Sequence, residues 1–317
     1  METAGVIAFQ FPGQGSQAVG MGVSLAEAYP AARAVFEEVD AALGQNLFAL
    51  MREGPEETLR LTENAQPALM AVSLAAMAAL EREHGVSVRR ASFVAGHSLG
   101  EYAALAAAGA FSITDAARLL KLRGQAMQRA VPVGAGAMAS LIGKVDVALA
   151  EEIAAEGAAA GVCGVANDNN VGNVVISGAA AGVEAAIAAA KARGVRAIPL
   201  AVSAPFHCPL MAPAAEEMAA ALAAADIKAP VVPVIANVTV APTTDPAAIR
   251  DLLVRQVTGR VRWRETVEHL RDAGVARFVE VGAGKVLSGM SKRIAPDAES
   301  VALNEPADLA AFAASLA

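Results

Sequence analysis

Apolar and polar positions along the chain alternate between two periods. Short apolar runs at residues 6–11, 91–95, 231–236 and 277–281 read as strands. Between them apolar residues recur every three to four positions. Residues 31–43, 67–83, 99–108, 114–130, 246–257 and 263–273 therefore read as helices. Strands interleaved with helices predict an α/β class. The middle of the chain has its own rhythm. There, 137–143 reads as a strand and 145–160 as a helix. Two strands follow at 161–166 and 173–177, joined by a polar, Asn-rich turn, then a helix at 180–193 and a strand at 196–202. This β-α-β-β-α-β order is the split βαβ of ferredoxin-like units. It is entered through Pro132-Val133-Gly134-Ala135-Gly136, a hinge composition. The pattern predicts a ferredoxin-like small domain at 132–202, inserted into a large domain made of 1–131 and 203–317. No tandem repeat is visible.

Composition narrows the class. The 317 residues are 55% hydrophobic and 18% charged, which suits a globular chain rather than a disordered one. Much of the apolar excess is alanine and does not call for a membrane. The longest uncharged helical run, 65–80, is bounded by Glu63, Glu81 and Arg82 and is short for a bilayer, so it reads as a buried helix. Residues 1–5 hold an acid and no base and lead directly into a strand, so no secretory leader is expected. Cys163 and Cys208 form neither a CxxC nor a metal spacing; a reducing cytoplasm fits, with no metal and no cofactor. The net charge of -7 and the lack of a basic stripe argue against nucleic acid as a partner.

Chemistry concentrates at Gly96-His97-Ser98-Leu99-Gly100, between the strand at 91–95 and the helix that follows. That is the G-x-S-x-G elbow in the strand-turn-helix context it requires. The glycines permit a tight turn, and Ser98 stands at a helix N-terminus, where developing negative charge is favoured. The alternative is an N-cap serine on an ordinary turn.

Four histidines are available as the base. His97 adjoins the serine and should diverge from it. His84 precedes Gly85 at a helix end, and His269 lies on a charged helix. His207 remains, in Ala204-Pro205-Phe206-His207-Cys208-Pro209, where flanking prolines restrict the backbone. A packed loop histidine is the competing reading. The acids between serine and histidine fall on helices or in the insertion. Asp168, the least implausible of them, reads as a turn residue, so a Ser–His dyad without a carboxylate is expected. Cys208 reads as buried and inert.

Arg123 breaks the pattern of its helix. Arg118, Lys121, Gln125, Gln128 and Arg129 share one face, whereas Arg123 aligns with Leu120 and Met127. An inward guanidinium needs a partner, either a buried acid or a ligand carboxylate held by two donors. Two glycine-rich loops, 11–17 and 281–286, fail the dinucleotide and phosphate-loop patterns at Ala18 and Val286.

With these pieces assembled, the chain resembles the malonyl-CoA:acyl carrier protein transacylases of fatty-acid synthesis nearly end to end. The resemblance is carried by Phe11-Pro12-Gly13-Gln14-Gly15-Ser16-Gln17, Gln66-Pro67-Ala68-Leu69, Gly96-His97-Ser98-Leu99-Gly100-Glu101, Arg123-Gly124, Gly136-Ala137-Met138, His207-Cys208, Val254-Arg255-Gln256 and Glu280-Val281-Gly282. It implies an α/β-hydrolase-like large domain with the ferredoxin-like insertion. It implies that Ser98 is acylated, that His207 is the base, and that the backbone carbonyl of Gln256 orients the imidazole. The N–H groups of Gln14 and Leu99 would form the oxyanion hole, and Arg123 would hold the malonyl carboxylate. Gln66 and Asn167 are further pocket candidates. Ala283 stands where relatives often carry proline. Phe206 stands where some carry serine, and a phenylalanine before the histidine also occurs in malonyl-selective domains of polyketide synthases.

The implied partners are malonyl-CoA and an acyl carrier protein, with no nucleic acid and no membrane, for a cytoplasmic monomer. A transferase serving a polyketide synthase and a serine hydrolase or thioesterase are the alternatives; a carrier-binding module without catalysis is a third. Lys191, Arg193, Arg196, Lys292 and Arg293 are candidates for a basic rim that meets an acidic carrier, against the alternative of scattered solvated charges.

Overall fold

A computed structural model describes residues 5–316. The segment on which the expectation about a leader rests, residues 1–4, lies outside the described residues. Among the described residues ten strands form two sheets. The larger contains β1 (Val6–Phe11), β2 (Phe93–Gly96), β7 (Val234–Ile235), β8 (Pro242–Thr243), β9 (Val275–Val281) and β10 (Glu299–Leu303), in the order β10-β9-β1-β2-β7-β8. All neighbours are parallel except β7 and β8. Parallel strands are buried on both faces, and the alternation in β1 serves two layers. Ile7, Phe9 and Phe11 pack with the helices Thr62–His84, Gly100–Ala107 and Ile113–Ala130, while Ala8 packs with Trp263, Val267, Leu270 and Leu287 on the other side.

The smaller sheet joins β3 (Gly136–Ile142), β4 (Cys163–Asn170), β5 (Asn173–Ala179) and β6 (Arg196–Pro199) in the antiparallel order β4-β5-β3-β6. With the helices Val147–Gly157 and Ala180–Ala192 it makes the ferredoxin-like unit the sequence pattern predicts. Ala139, Leu141, Val174 and Ile176 face those helices. Met138, Ala166 and Val175 face the opposite way and join the core of the large sheet's helices. The small sheet thus lies over the carboxyl ends of β1 and β2, the edge of a parallel sheet where ligands bind.

Three details differ from the sequence reading. The Asn-rich stretch is not a turn: Asn167 to Asn170 belong to β4, and Val171-Gly172 turn the chain. Amide side chains are tolerated in this strand because Asn167 and Asn169 face a cavity that also holds the polar side chains of Gln14 and Gln66. Asp168 is buried in the same strand and paired with Arg264 at 2.9 Å, so it is a structural ion-pair partner. The long helix begins at Thr62, so Pro67 lies inside it rather than at its start. Pro67 is the sixth residue of that helix, past the first-turn N–H groups that lack an intrahelical acceptor, so it forgoes one ladder hydrogen bond there.

The loop 281–286 holds no phosphate-binding geometry. The Glu280 carboxylate accepts the N–H groups of Leu287 and Ser288 at 3.1 and 2.7 Å, filling the place an anion would take at that helix N-terminus. Among the described residues no helix is long and apolar enough to cross a membrane, and no group of three or more His, Cys, Asp or Glu is placed to hold a metal ion.

Candidate active site

The strand β2 ends at Gly96 and the next helix starts at Gly100, leaving three residues to reverse direction. A Cβ on Gly96 would run into the Gly100 carbonyl, and one on Gly100 into the Phe11 carbonyl, so both positions demand glycine. Ser98 sits at φ 54°, a left-handed conformation that costs a non-glycine residue energy and needs external support. Support comes from two amides. Asn237 accepts the Ser98 N–H on Oδ1 at 2.8 Å and donates from Nδ2 to the Gly96 carbonyl at 2.7 Å. Gln256 donates from Nε2 to the Ser98 carbonyl at 2.9 Å.

His207 meets Ser98 from the loop after β6, with its Nε2 2.7 Å from the serine Oγ. It too has a left-handed backbone, φ 57°. Its Nδ1 faces the carbonyls of Gln256 and Gly259 at 2.9 and 3.0 Å. Both partners only accept, so Nδ1 carries the proton and Nε2 offers its lone pair to the serine hydroxyl. Burial, and next the charge of Arg123, push the His207 pKa down to about 3. The imidazole is therefore neutral at physiological pH. The other histidines are committed elsewhere. His97 turns its ring to Asn169 Oδ1 at 2.9 Å, and His84 bonds the Tyr29 hydroxyl at 3.1 Å. His269 is partly exposed on its helix. Cys208 is buried, donates its thiol hydrogen to the Pro205 carbonyl, and has its pKa raised by burial, which disfavours a thiolate.

Arg123 falls on the buried face of the helix Ile113–Ala130 and is 1% exposed. Its guanidinium donates to Gln66 Oε1 at 2.8 Å, to Gln256 Oε1 at 2.9 Å and to Ser98 Oγ at 3.2 Å, and it lies 5.7 Å from the centre of the Tyr102 ring. Among the described residues no carboxylate pairs with it directly, and its Nε has no partner. The nearest acid is Glu101, also buried, whose carboxyl accepts from Gln256 Nε2 at 2.8 Å and from the Asn237 N–H at 3.1 Å. Burial raises the Glu101 pKa to about 7, against the lowering effect of those bonds and of Arg123.

These groups open onto a cavity of about 440 Å³. Gln14, Gln66, Ser98, Leu99, Arg123, Asn167, Phe206 and His207 all line it; Gln256 stands behind Ser98 and Arg123. Asn167 reaches it from β4, and Phe206 is 8% exposed. A serine hydroxyl against a neutral imidazole, with a buried cation that has no carboxylate partner among the described residues, in one chamber, suits acyl transfer from a thioester bearing a second, free carboxylate.

Asn237 and Gly259 are not singled out by the sequence, and Glu101 enters there only as a motif residue without a role. Asn237 does carry a positional signal: it is two residues past β7, the strand beside β2, at the same sheet edge as the elbow. Of the five candidates for a basic rim, Arg193 is neutralised by Glu152 at 2.8 Å and by Glu156.

A family model described as an acyl transferase domain matches residues 8–303. The malonyl CoA-acyl carrier protein transacylase of Escherichia coli (strain K12) is 48% identical over 307 residues, covering 96% of this chain and 97% of that protein. The crystal structure of acyl-carrier-protein-S-malonyltransferase from Bartonella henselae is 53% identical with a TM-score of 0.96, covering 98% of this chain and 99% of its own. A malonyl-transacylase solved in complex with a type II polyketide-synthase acyl-carrier protein is 43% identical, with a TM-score of 0.94 and coverage of 98% and 99%.

Proposed function

This chain belongs to the acyl transferase family, among the malonyl CoA-acyl carrier protein transacylases, and from that premise we propose the route by which its own residues carry malonyl from malonyl-CoA to an acyl carrier protein. The observation that carries it is the 2.7 Å contact of Ser98 Oγ with His207 Nε2 in the cavity that also holds Arg123. Arg123 binds the free malonyl carboxylate and presents the thioester carbonyl to Ser98. Oγ attacks the carbonyl carbon as its proton passes to His207 Nε2. Negative charge on the former carbonyl oxygen is met by the N–H groups of Gln14 and Leu99 and by the N-terminus of the helix Gly100–Ala107. The C–S bond breaks, and His207 returns the proton to the departing coenzyme A sulfur. The phosphopantetheine thiol of the carrier then gives its proton to His207 and attacks the ester. The ester C–O bond breaks as His207 passes that proton to Oγ, which restores the Ser98 hydroxyl. Orientation of His207 by two carbonyls, with no carboxylate, supports transfer over the carboxylate-assisted hydrolase arrangement.

The test is covalent. Malonyl-CoA alone should add one malonyl group, mapped by mass spectrometry to Ser98, and added carrier should remove it. An adduct on Cys208 would overturn the assignment.

Phe206 precedes the base and lines the same chamber, so its ring limits the space beside the reacting acyl group. Phe206→Ser should raise kcat/KM for methylmalonyl-CoA relative to malonyl-CoA by roughly tenfold, the lower end of what one methyl group is worth in a pocket. An unchanged ratio, measured with both substrates in competition, would remove Phe206 from substrate selection.

A further inference from the structure

We propose that Asn237 is the positioning residue of the nucleophile, its one side-chain amide gripping the elbow on both sides of His97, up to the N–H of Ser98. The inference rests on the reading of Ser98 as the group acylated. Ser98 N–H can only donate and the Gly96 carbonyl can only accept, so a single side chain that bridges them must offer one acceptor and one donor about 2 Å apart. Asparagine does so, with bonds of 2.8 and 2.7 Å. The bridge spans His97 and ends on the N–H of Ser98, whose φ of 54° lifts Oγ toward His207; by fixing that peptide plane it opposes relaxation of the strained turn. Asn237 is 0% exposed and is itself pinned. Its backbone N–H donates to Glu101 Oε2 at 3.1 Å, and its carbonyl accepts the Arg262 N–H at 3.2 Å. Glu101 Oε2 also takes the Gln256 amide, whose backbone carbonyl holds His207. One buried carboxyl thereby ties the support of the nucleophile to the support of the base.

The substitution that isolates this role is Asn237→Asp. When ionised, the new side chain keeps an acceptor for Ser98 N–H but turns a second oxygen on the Gly96 carbonyl. When protonated, its O–H donates to that carbonyl and the asparagine pattern returns. Burial and the neighbouring Glu101 favour protonation, while Arg123, reached through Gln256, and Arg262 oppose it. In the wild type burial and Arg123 hold the His207 pKa at about 3, well below this range, and burial lowers that of His97.

The acylation rate of Ser98 by malonyl-CoA is to be measured by quenched-flow mass spectrometry from about pH 8 down to about pH 5.5. At the upper end Asn237→Asp should acylate roughly ten- to a hundredfold more slowly, the scale of a small nucleophile displacement. The KM for malonyl-CoA should change far less, since the Arg123 guanidinium makes no hydrogen bond with Asn237. The ratio to wild type should recover as pH falls. Wild-type acylation at the upper pH, or an equal loss at every pH, would overturn the inference. If the aspartate variant does not fold, Asn237→Ser, which retains one of the two bonds, carries the test. Its fluorophosphonate labelling should slow about tenfold with its thermal midpoint held within a few degrees, and unchanged labelling would count against the role. Failure of the underlying reading looks different: the wild-type adduct would map to a residue other than Ser98.

Discussion

His207→Ala should slow both half-reactions, acylation by malonyl-CoA and transfer to the carrier thiol, by roughly 10²–10⁴-fold, with the fold intact. The same Nε2 takes the proton of Ser98 in one half and that of the incoming thiol in the other, so no half-reaction escapes. Wild-type pH dependence should bear the mark of the site. A buried imidazole beside a guanidinium resists protonation, and its pKa is pushed down to about 3. The base of the free enzyme therefore stays neutral far below the usual histidine range, near 6.5. Its kcat/KM for malonyl-CoA should not fall away near pH 6.5 as it would with an unperturbed histidine. Once the malonyl carboxylate neutralises Arg123, the second cause of that depression weakens. The acid limb of kcat should then lie at higher pH than that of kcat/KM. Stopped-flow acylation of both proteins across pH is the measurement. Near-wild-type acylation by His207→Ala would move the base elsewhere.

What the sequence discloses and what it hides divide along a physical line. Ser98 is legible because its signal is local: a strand, two glycines and a helix start within five residues. His207 is legible because histidine is scarce and three of four have a bland local explanation. The inward face of Arg123 is legible from helical periodicity, but its surroundings are not. The absence of a carboxylate partner, and the presence of Gln66 and Gln256, depend on three separated segments meeting. Asn237 lies 139 residues from Ser98 and acts through two hydrogen bonds with backbone groups, which leave no periodic trace. Residues 167–170 mislead for a related reason. Asparagines signal turns when water is their partner, and here a cavity and a neighbouring helix take that place. Segments rich in alanine blur as well. The helix Pro306–Ala314 and the strand Glu299–Leu303 carry too little contrast between apolar and polar positions to stand out.

Arg123→Ala should abolish most malonyl transfer while affecting acetyl transfer far less. The guanidinium is fully buried, donates to neutral partners only, and faces the chamber beside the nucleophile. A malonyl thioester brings one free carboxylate to it; an acetyl thioester brings none. Removing one partner of a buried ion pair leaves the other charge desolvated and costs about 3–5 kcal/mol. That corresponds to a loss of roughly hundreds- to thousands-fold in kcat/KM for malonyl-CoA. With acetyl-CoA the wild-type guanidinium stays unpaired, so its removal deletes a desolvation penalty and no ion pair. It also lifts one of the three influences that hold the His207 pKa down, the second after burial. The acetyl rate should therefore hold or rise. Arg123→Lys should rescue malonyl transfer poorly, because an ammonium cannot reach Gln66 and Gln256 while presenting two parallel donors to a carboxylate. The measurement is kcat/KM for both thioesters with wild type and both variants. A fall by the same factor for malonyl and acetyl would make Arg123 a scaffold for Gln66 and Gln256, and would assign selectivity to another part of the chamber.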